Sequence, residues 1–219
     1  IDLANEQNLP LLSLPYEVIV LEIISRTYYE IYNKEEKNHS MERYMTELLY
    51  GDLERARERI KLFPYNSEEG HKVLFINAFL KKSETYVRDV HHMKDLNWAI
   101  HRACKGSVMS LQEEDGIVVL TEATRDVKKL QAEISTNFQM RLENTRVCIG
   151  VGNEFETLED VRRSLKEARG AMNVAMATGK MEAVNAYAAL GIYRIFLNME
   201  NEQELHNLYH ETLDKLVEY

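Results

Sequence analysis

The sequence predicts an α+β protein: a ferredoxin-like antiparallel sheet with packed helices, plus flanking helices and a partial α/β piece at the N-terminus. Three observations carry this expectation. The uninterrupted apolar run Val73-Leu74-Phe75-Ile76 fits a central strand buried on both faces. Asp115-Gly116, set between the short strand segments 108–111 and 117–121, is a hairpin signal. Apolar stripes at spacings of three and four recur between and after these strands. Strand, helix, hairpin, helix, strand, helix is the βαββαβ order, with helices expected on one face of the sheet.

Taken in order, residues 1–7 read as the tail of a helix, Asn8-Leu9-Pro10 as a turn, and Leu11, Leu12 and Leu14 as a short strand broken by Pro15. The helix after it places Val20, Ile23, Ile24, Tyr28, Ile31 and Tyr32 on one stripe. A strand and a helix alone cannot bury both their faces, so residues 1–34 are expected to close a larger upstream domain. Residues 33–40 are charged and aperiodic, the composition of a linker. Within 35–63, a helical linker and dimerisation segment, Ser40 is expected to cap a helix on Met41, Tyr44, Met45, Leu48 and Leu49 that Gly51 ends. Asp52 caps a second helix that buries Leu53, Ala56, Ile60 and Phe63, with Pro64 beyond its end.

Residues 64–200 are expected to hold the sheet. A strand over 72–77 leads to a helix ending near Gly106, with Val90, Met93, Leu96, Ile100 and Cys104 inward. Strands over 108–111 and 117–121 form the hairpin. A helix over 124–142 buries Val127, Leu130, Ile134, Phe138 and Leu142, and a strand over 146–151 follows. Leu158, Val161, Leu165, Ala168, Met172 and Ala175 then step along one helix face until Gly179. Residues 201–219 read as a connector helix.

Composition narrows the function. With 219 residues, 45% hydrophobic and only three prolines, the chain can bury a core without a disulfide or metal staple. Its apolar runs are far shorter than the roughly 20 residues that span a bilayer, and its start lacks the features of a secretory signal. A cytoplasmic protein with no membrane contact is expected, and the absence of an initiator methionine suggests a fragment. A net charge of -9 opposes gripping phosphate backbones, so DNA is not expected to meet this surface. Cys104 and Cys148 read as buried free thiols, although two cysteines can in principle pair.

Residues 148–193 carry a resemblance. A strand ending in Gly150-Val151-Gly152 leads to a helix with Ser164, Glu167, Ala168 and Arg169, and then to Leu190-Gly191-Ile192-Tyr193-Arg194. Upstream, Leu48-Leu49-Tyr50-Gly51-Asp52 forms a short junction, and Leu9 to Pro15 a closing strand. In type and order this series resembles the PucR/CdaR family of bacterial transcription regulators, with its degenerate GGDEF-like domain and the end of its N-terminal sensor domain. In that family the Leu-Gly-x-Tyr-Arg stretch is helical and a helix-turn-helix domain follows the helix that here ends at Tyr219. The resemblance implies a dimeric regulatory portion of a longer factor, with structural roles for the motif residues, no cofactor, and DNA contacted only through a C-terminal domain outside this chain. Its effector is implied to be a small metabolite such as a purine catabolite, sugar acid or amino acid.

Enzymes of the GGDEF type join two GTP molecules, using two metal ions to activate a hydroxyl and to stabilise phosphate charge. Laid against their signature, Glu113-Glu114-Asp115-Gly116-Ile117 lacks the paired glycines and the acidic fourth residue, and the first-strand carboxylates fall at Ile76 and Ala78. A non-catalytic domain is therefore expected, with no metal site. The rival readings are a nucleotide-binding or residually active GGDEF relative and a purely structural dimerisation module. If an effector pocket persists at the old nucleotide site, Asn77, Lys81, Lys82 and Arg88 stand at the strand exit and the following helix, where they would meet an anion.

The remaining constellations have plain explanations. His206 and His210 have the i, i+4 spacing of two zinc ligands, but no third ligand accompanies them and the surrounding helix is polar. His91, His92 and His101 point in different directions around their helix. Gly150-Val151-Gly152 looks like a phosphate loop, yet Glu154 and Glu156 would repel an anion, so it reads as a tight strand exit. Arg162, Arg163, Lys166 and Arg169 are balanced by Glu159, Asp160 and Glu167 at helical spacing. Arg55, Arg57, Arg59 and Lys61 alternate around their helix beside Glu54 and Glu58.

Overall fold

Nine of the ten residues of β1 (His71–Leu80) are buried. A strand with no polar alternation has no side to offer water, so it must lie inside a sheet covered on both faces. A computed structural model of the chain describes residues 39–60, 69–81, 87, 89–104 and 108–198. The chain divides into two compact units, residues 1–40 and 41–219. The strand and helix expected before residue 34, and the connector helix expected over 201–219, lie outside the described residues.

The described elements are α1 (39–50), α2 (Leu53–Arg59), β1, α3 (Val90–Ala103), β2 (Met109–Gln112), β3 (Ile117–Glu122), α4 (Val127–Gln139), β4 (Thr145–Val151), α5 (Val161–Ala177), β5 (Val184–Ala186) and α6 (Tyr193–Asn198). Single 3-10 turns, Leu158–Asp160 and Tyr187–Ala189, precede α5 and α6. The sheet runs β2-β3-β1-β4-β5. Its first four strands have the order of a βαββαβ unit and pair antiparallel, with Val73 opposite Leu120 and Phe75 opposite Gly150. The α+β class and its ferredoxin-like, GGDEF-like sheet are thus present in the structure. The added β5 pairs parallel with β4, which requires a crossover, and α5 supplies it.

Helices cover both faces rather than the one expected. On one side Leu74, Ile76 and Ala78 pack with Met93, Leu96 and Ile100 of α3 and with Leu130, Ile134 and Phe138 of α4. On the other, Val73, Phe75 and Phe79 pack with Tyr44, Met45 and Leu48 of α1, Ala56 of α2, and Val161, Leu165 and Met172 of α5. Each fully buried Leu, Ile or Phe contributes about 1.5–3 kcal/mol, so the alternate residues of β1 weld two helical layers together.

Capping sets the helix starts. The Asp52 carboxylate accepts from the Glu54 N–H at 2.9 Å, and Asp89 accepts from His91 and His92 at 2.9 and 3.4 Å. Asp126 accepts from Lys128 and Lys129 at 3.0 and 3.1 Å, which is why α4 begins at Val127 and not at 124. Ser40 is inside α1 and is not its cap. Val90, expected to face inward, opens α3 and is 63% exposed, so the buried stripe of that helix begins at Met93. Phe63 lies outside the described residues. The hairpin loop is the four residues 113–116, closed by the Glu113 N–H donating to the Gly116 carbonyl at 2.9 Å. Leu190 and Gly191, expected within a helix, form a break before α6. Gly191 has φ +56, a conformation that a helix interior does not admit.

Candidate functional site

The motif residues around β4 and α5 form one junction. A Cβ at Gly150 would overlap the Ala168 carbonyl oxygen, and one at Gly152 the Ser164 carbonyl oxygen. The two glycines let the α5 backbone lie against the strand, with small Ala168 and Ser164 on its contact face. The Ser164 hydroxyl donates to the Asn153 carbonyl at 2.8 Å and accepts from the Val73 N–H at 3.1 Å, which stitches β1, the β4 exit and α5 together. Glu167 is 8% exposed, and its carboxylate accepts from the Asn153 N–H at 2.8 Å and the Asn153 amide at 3.1 Å. The Gly152 N–H donates to the Val73 carbonyl at 3.0 Å. With these amides engaged internally, the Gly-x-Gly exit does not offer the free N–H groups of a phosphate loop.

Beside this junction is an open cleft of about 570 Å³. It is lined by buried Glu167 and Tyr187, half-buried Asn153, and exposed Gly191, Ile192, Arg194 and Ile195. Residues 41 positions apart in sequence therefore meet because the 3-10 turn and the positive φ at Gly191 swing α6 back over α5. Leu197 completes the contact: a Cβ at Gly170 would come within 2.8 Å of it. Glu167 also faces Arg163 at 3.9 Å, one turn earlier on α5. Arg194 is exposed, and its guanidinium meets the Gly191 carbonyl at 3.5 Å, the limit of a hydrogen bond.

A second cluster lies at the hairpin loop. Glu113 forms an ion pair with Arg169 and accepts from the Tyr50 hydroxyl at 2.5 Å, while Arg169 donates to the Tyr50 oxygen at 3.0 Å. The same guanidinium lies 5.1 Å over the Phe75 ring. A Cβ at Gly116 would overlap the Asn77 side-chain oxygen and come within 2.9 Å of Phe75. The β1 side chains beneath the hairpin-loop glycine are therefore Phe75 and Asn77. Ile76 and Ala78 point into the core under α3 and α4. Among the described residues no group of three His, Cys, Asp or Glu is placed to hold a metal ion.

Of the expected effector residues, Asn77 and Lys81 are among those the structure describes. Asn77 is 2% exposed, and both its side-chain polar atoms lack a partner. Lys81 is exposed just past β1, four residues on, or about 13 Å along an extended chain. Lys82 and Arg88 lie outside the described residues, as do His206 and His210. His101 meets the Ser110 hydroxyl at 3.2 Å, and His91 is exposed. Cys104 and Cys148 are free and buried in the cores on opposite faces of the sheet, so they do not pair.

Arginine pairing goes further than helical spacing implied. Arg163 does bond within its helix, to Asp160 at 3.3 Å. Arg162 instead donates to the Leu48 carbonyl at 3.2 Å and to the Gly51 carbonyl, so it caps the C-terminal end of α1, and Arg57 of α2 pairs with Glu159. Single-helix spacing has no information about these partners.

Comparison with known proteins adds to the geometry. A family model described as GGDEF-like domain matches residues 11–174. The proline-responsive transcriptional activator PutR of Bacillus subtilis (strain 168) is 34% identical over 73 residues, which are 33% of this chain and 18% of that protein. No helix among the described residues is long and apolar enough to cross a membrane.

Proposed function

Because this chain belongs to the GGDEF-like domain family, in its PucR/CdaR type of transcription regulator, we propose that it is the non-catalytic regulatory portion of a cytoplasmic, dimeric, DNA-binding regulator that responds to a small metabolite. In this reading residues 1–34 end an upstream sensor domain, 35–63 are the helical linker and dimer surface, 64–200 the GGDEF-like domain, and 201–219 a connector toward a helix-turn-helix domain outside this chain. That domain, not this acidic surface, contacts DNA.

The observation that carries the non-catalytic reading is the hairpin. Metal-assisted phosphoryl chemistry needs carboxylates free to bind cations. Glu113 is engaged by Arg169 and Tyr50, and the β1 side chains beneath the loop are an aromatic ring and an amide. Incubated with GTP and Mg²⁺, the chain is expected to yield no cyclic dinucleotide. Product formation would establish the rival, a residually active GGDEF domain.

Signalling requires an element that both the effector and the output can bias. α5 is suited to this, because Arg162 and Arg169 tie it to α1 while Glu167 and Gly170 tie it to the β4 exit and α6. PutR is described as proline-responsive, which puts amino acids beside purine catabolites and sugar acids as candidate effectors. A thermal-shift screen of these classes tests the sensor reading, since a ligand at 100 times its Kd adds about 2.7 kcal/mol. Silence across all three classes would leave a dimerisation module without a ligand.

A further inference from the structure

We propose that the cleft between α5 and α6 is the effector site, and that its ligand is a small zwitterion of amino-acid type bearing an ammonium group, a carboxylate and a short apolar body. The proposal rests on the sensor reading above and names the place and chemistry of the ligand.

The cleft presents two opposite charges that do not neutralise each other. Glu167 and Arg194 both line it, and no ion pair within 4 Å joins them. Glu167 is held in place by both hydrogen bonds from Asn153 and faces the Arg163 guanidinium at 3.9 Å, beyond hydrogen-bond reach, so its carboxylate is pre-oriented and each oxygen retains capacity for a further donor. An ammonium fits that role. Arg194 has one marginal contact, with the Gly191 carbonyl, and its planar fork suits a carboxylate in bidentate geometry.

Ile192 and Ile195 line the same cleft and are 65% and 53% exposed. Exposed branched aliphatic side chains beside an acid and a base match a ligand with an apolar body between two charged ends. A volume of about 570 Å³ is ample for such a molecule and falls within the roughly 300–1,000 Å³ of small-ligand sites. A simple anion would face the Glu167 carboxylate, and a simple cation would face Arg194; a molecule with both charges satisfies both. Binding here would also bridge two helices, because Glu167 belongs to α5 and Arg194 to α6.

Isothermal titration of the full 219-residue chain with L-proline, L-valine and L-glutamine tests the proposal. Pyrrolidine and propionate serve as single-charge controls, and a purine catabolite and a sugar acid as other classes. At least one amino acid is expected to bind, with single-charge analogues at least tenfold weaker. Arg194→Gln, at an exposed position, is expected to weaken that binding tenfold or more while the unliganded Tm stays unchanged. Amino-acid binding untouched by Arg194→Gln would place the site elsewhere and overturn the proposal. Binding of only a purine catabolite or sugar acid would overturn the zwitterion but leave the sensor reading standing, and silence from every compound would overturn both.

Discussion

Ser164 and Gly152 meet with no room between them: the space a Cβ at 152 would take is occupied by the Ser164 carbonyl and hydroxyl oxygens. Gly152 does not have a positive φ, so its need for glycine is steric. Gly152→Ala is expected to force α5 off β4 and to destabilise the fold by about 1–3 kcal/mol, the usual cost of overpacking. Ser164→Ala leaves the Val73 N–H without its side-chain acceptor and is expected to cost about 1–3 kcal/mol. Urea denaturation checks both, as a lowered midpoint at unchanged m-value.

Glu113 and Arg169 couple the hairpin to α5. Arg169 is about one-third exposed and Glu113 nearly buried, so solvent screens the pair in part. A double-mutant cycle of Glu113→Gln and Arg169→Gln is expected to give a coupling energy of about 1 kcal/mol. Additive losses would mean that the ion pair contributes nothing beyond its separate packing contacts.

Burial raises both thiols, Cys148 to about 11 and Cys104 in the same direction. Since the thiolate is the reactive species, neither cysteine is expected to react with a chromogenic disulfide at pH 8 in the folded chain, and both should react once it is unfolded. Rapid labelling of two thiols under native conditions would contradict this packing.

Burial lowers the His71 pKa below its ordinary value, against the Glu69 backbone contact and the nearby Glu122 and Glu69 charges, which raise it. Above pH 6.5 the ring is neutral in both folded and unfolded chains and stability is unaffected. Below it the unfolded chain takes up a proton that the folded chain resists, so stability falls with pH until the lowered folded pKa is passed. Thermal melts from pH 8 to pH 5 are expected to show a shallower decline for His71→Gln than for the native chain. Identical slopes would mean that other groups set the acid sensitivity.

Much of the fold was legible in the residues. The run at 73–76 announced a doubly buried strand, Asp52 a helix cap, and the three-and-four stripes α4 and α5, because burial and capping act over a few neighbouring residues. β5 was not foreseen, since three residues are too few for a period. The doubly buried strand already implied cover on both faces, yet which helix went to which side depended on the crossover of α5.

The sequence by itself determined the class, the chain order of the first four strands and the departure of residues 113–117 from the GGDEF signature, all of which follow from residue type and local spacing. Only the tertiary structure decided that the Phe75 and Asn77 side chains lie beneath Gly116 of the hairpin loop while Ile76 and Ala78 enter the core under α3 and α4, because the choice of face along a strand is fixed by what packs against it. It also decided that Glu167 and Arg194, which as motif residues had read as structural, line one cleft. That meeting depends on a turn at Gly191 and on the packing of α6 against α5, and neither is a property of any short stretch of chain.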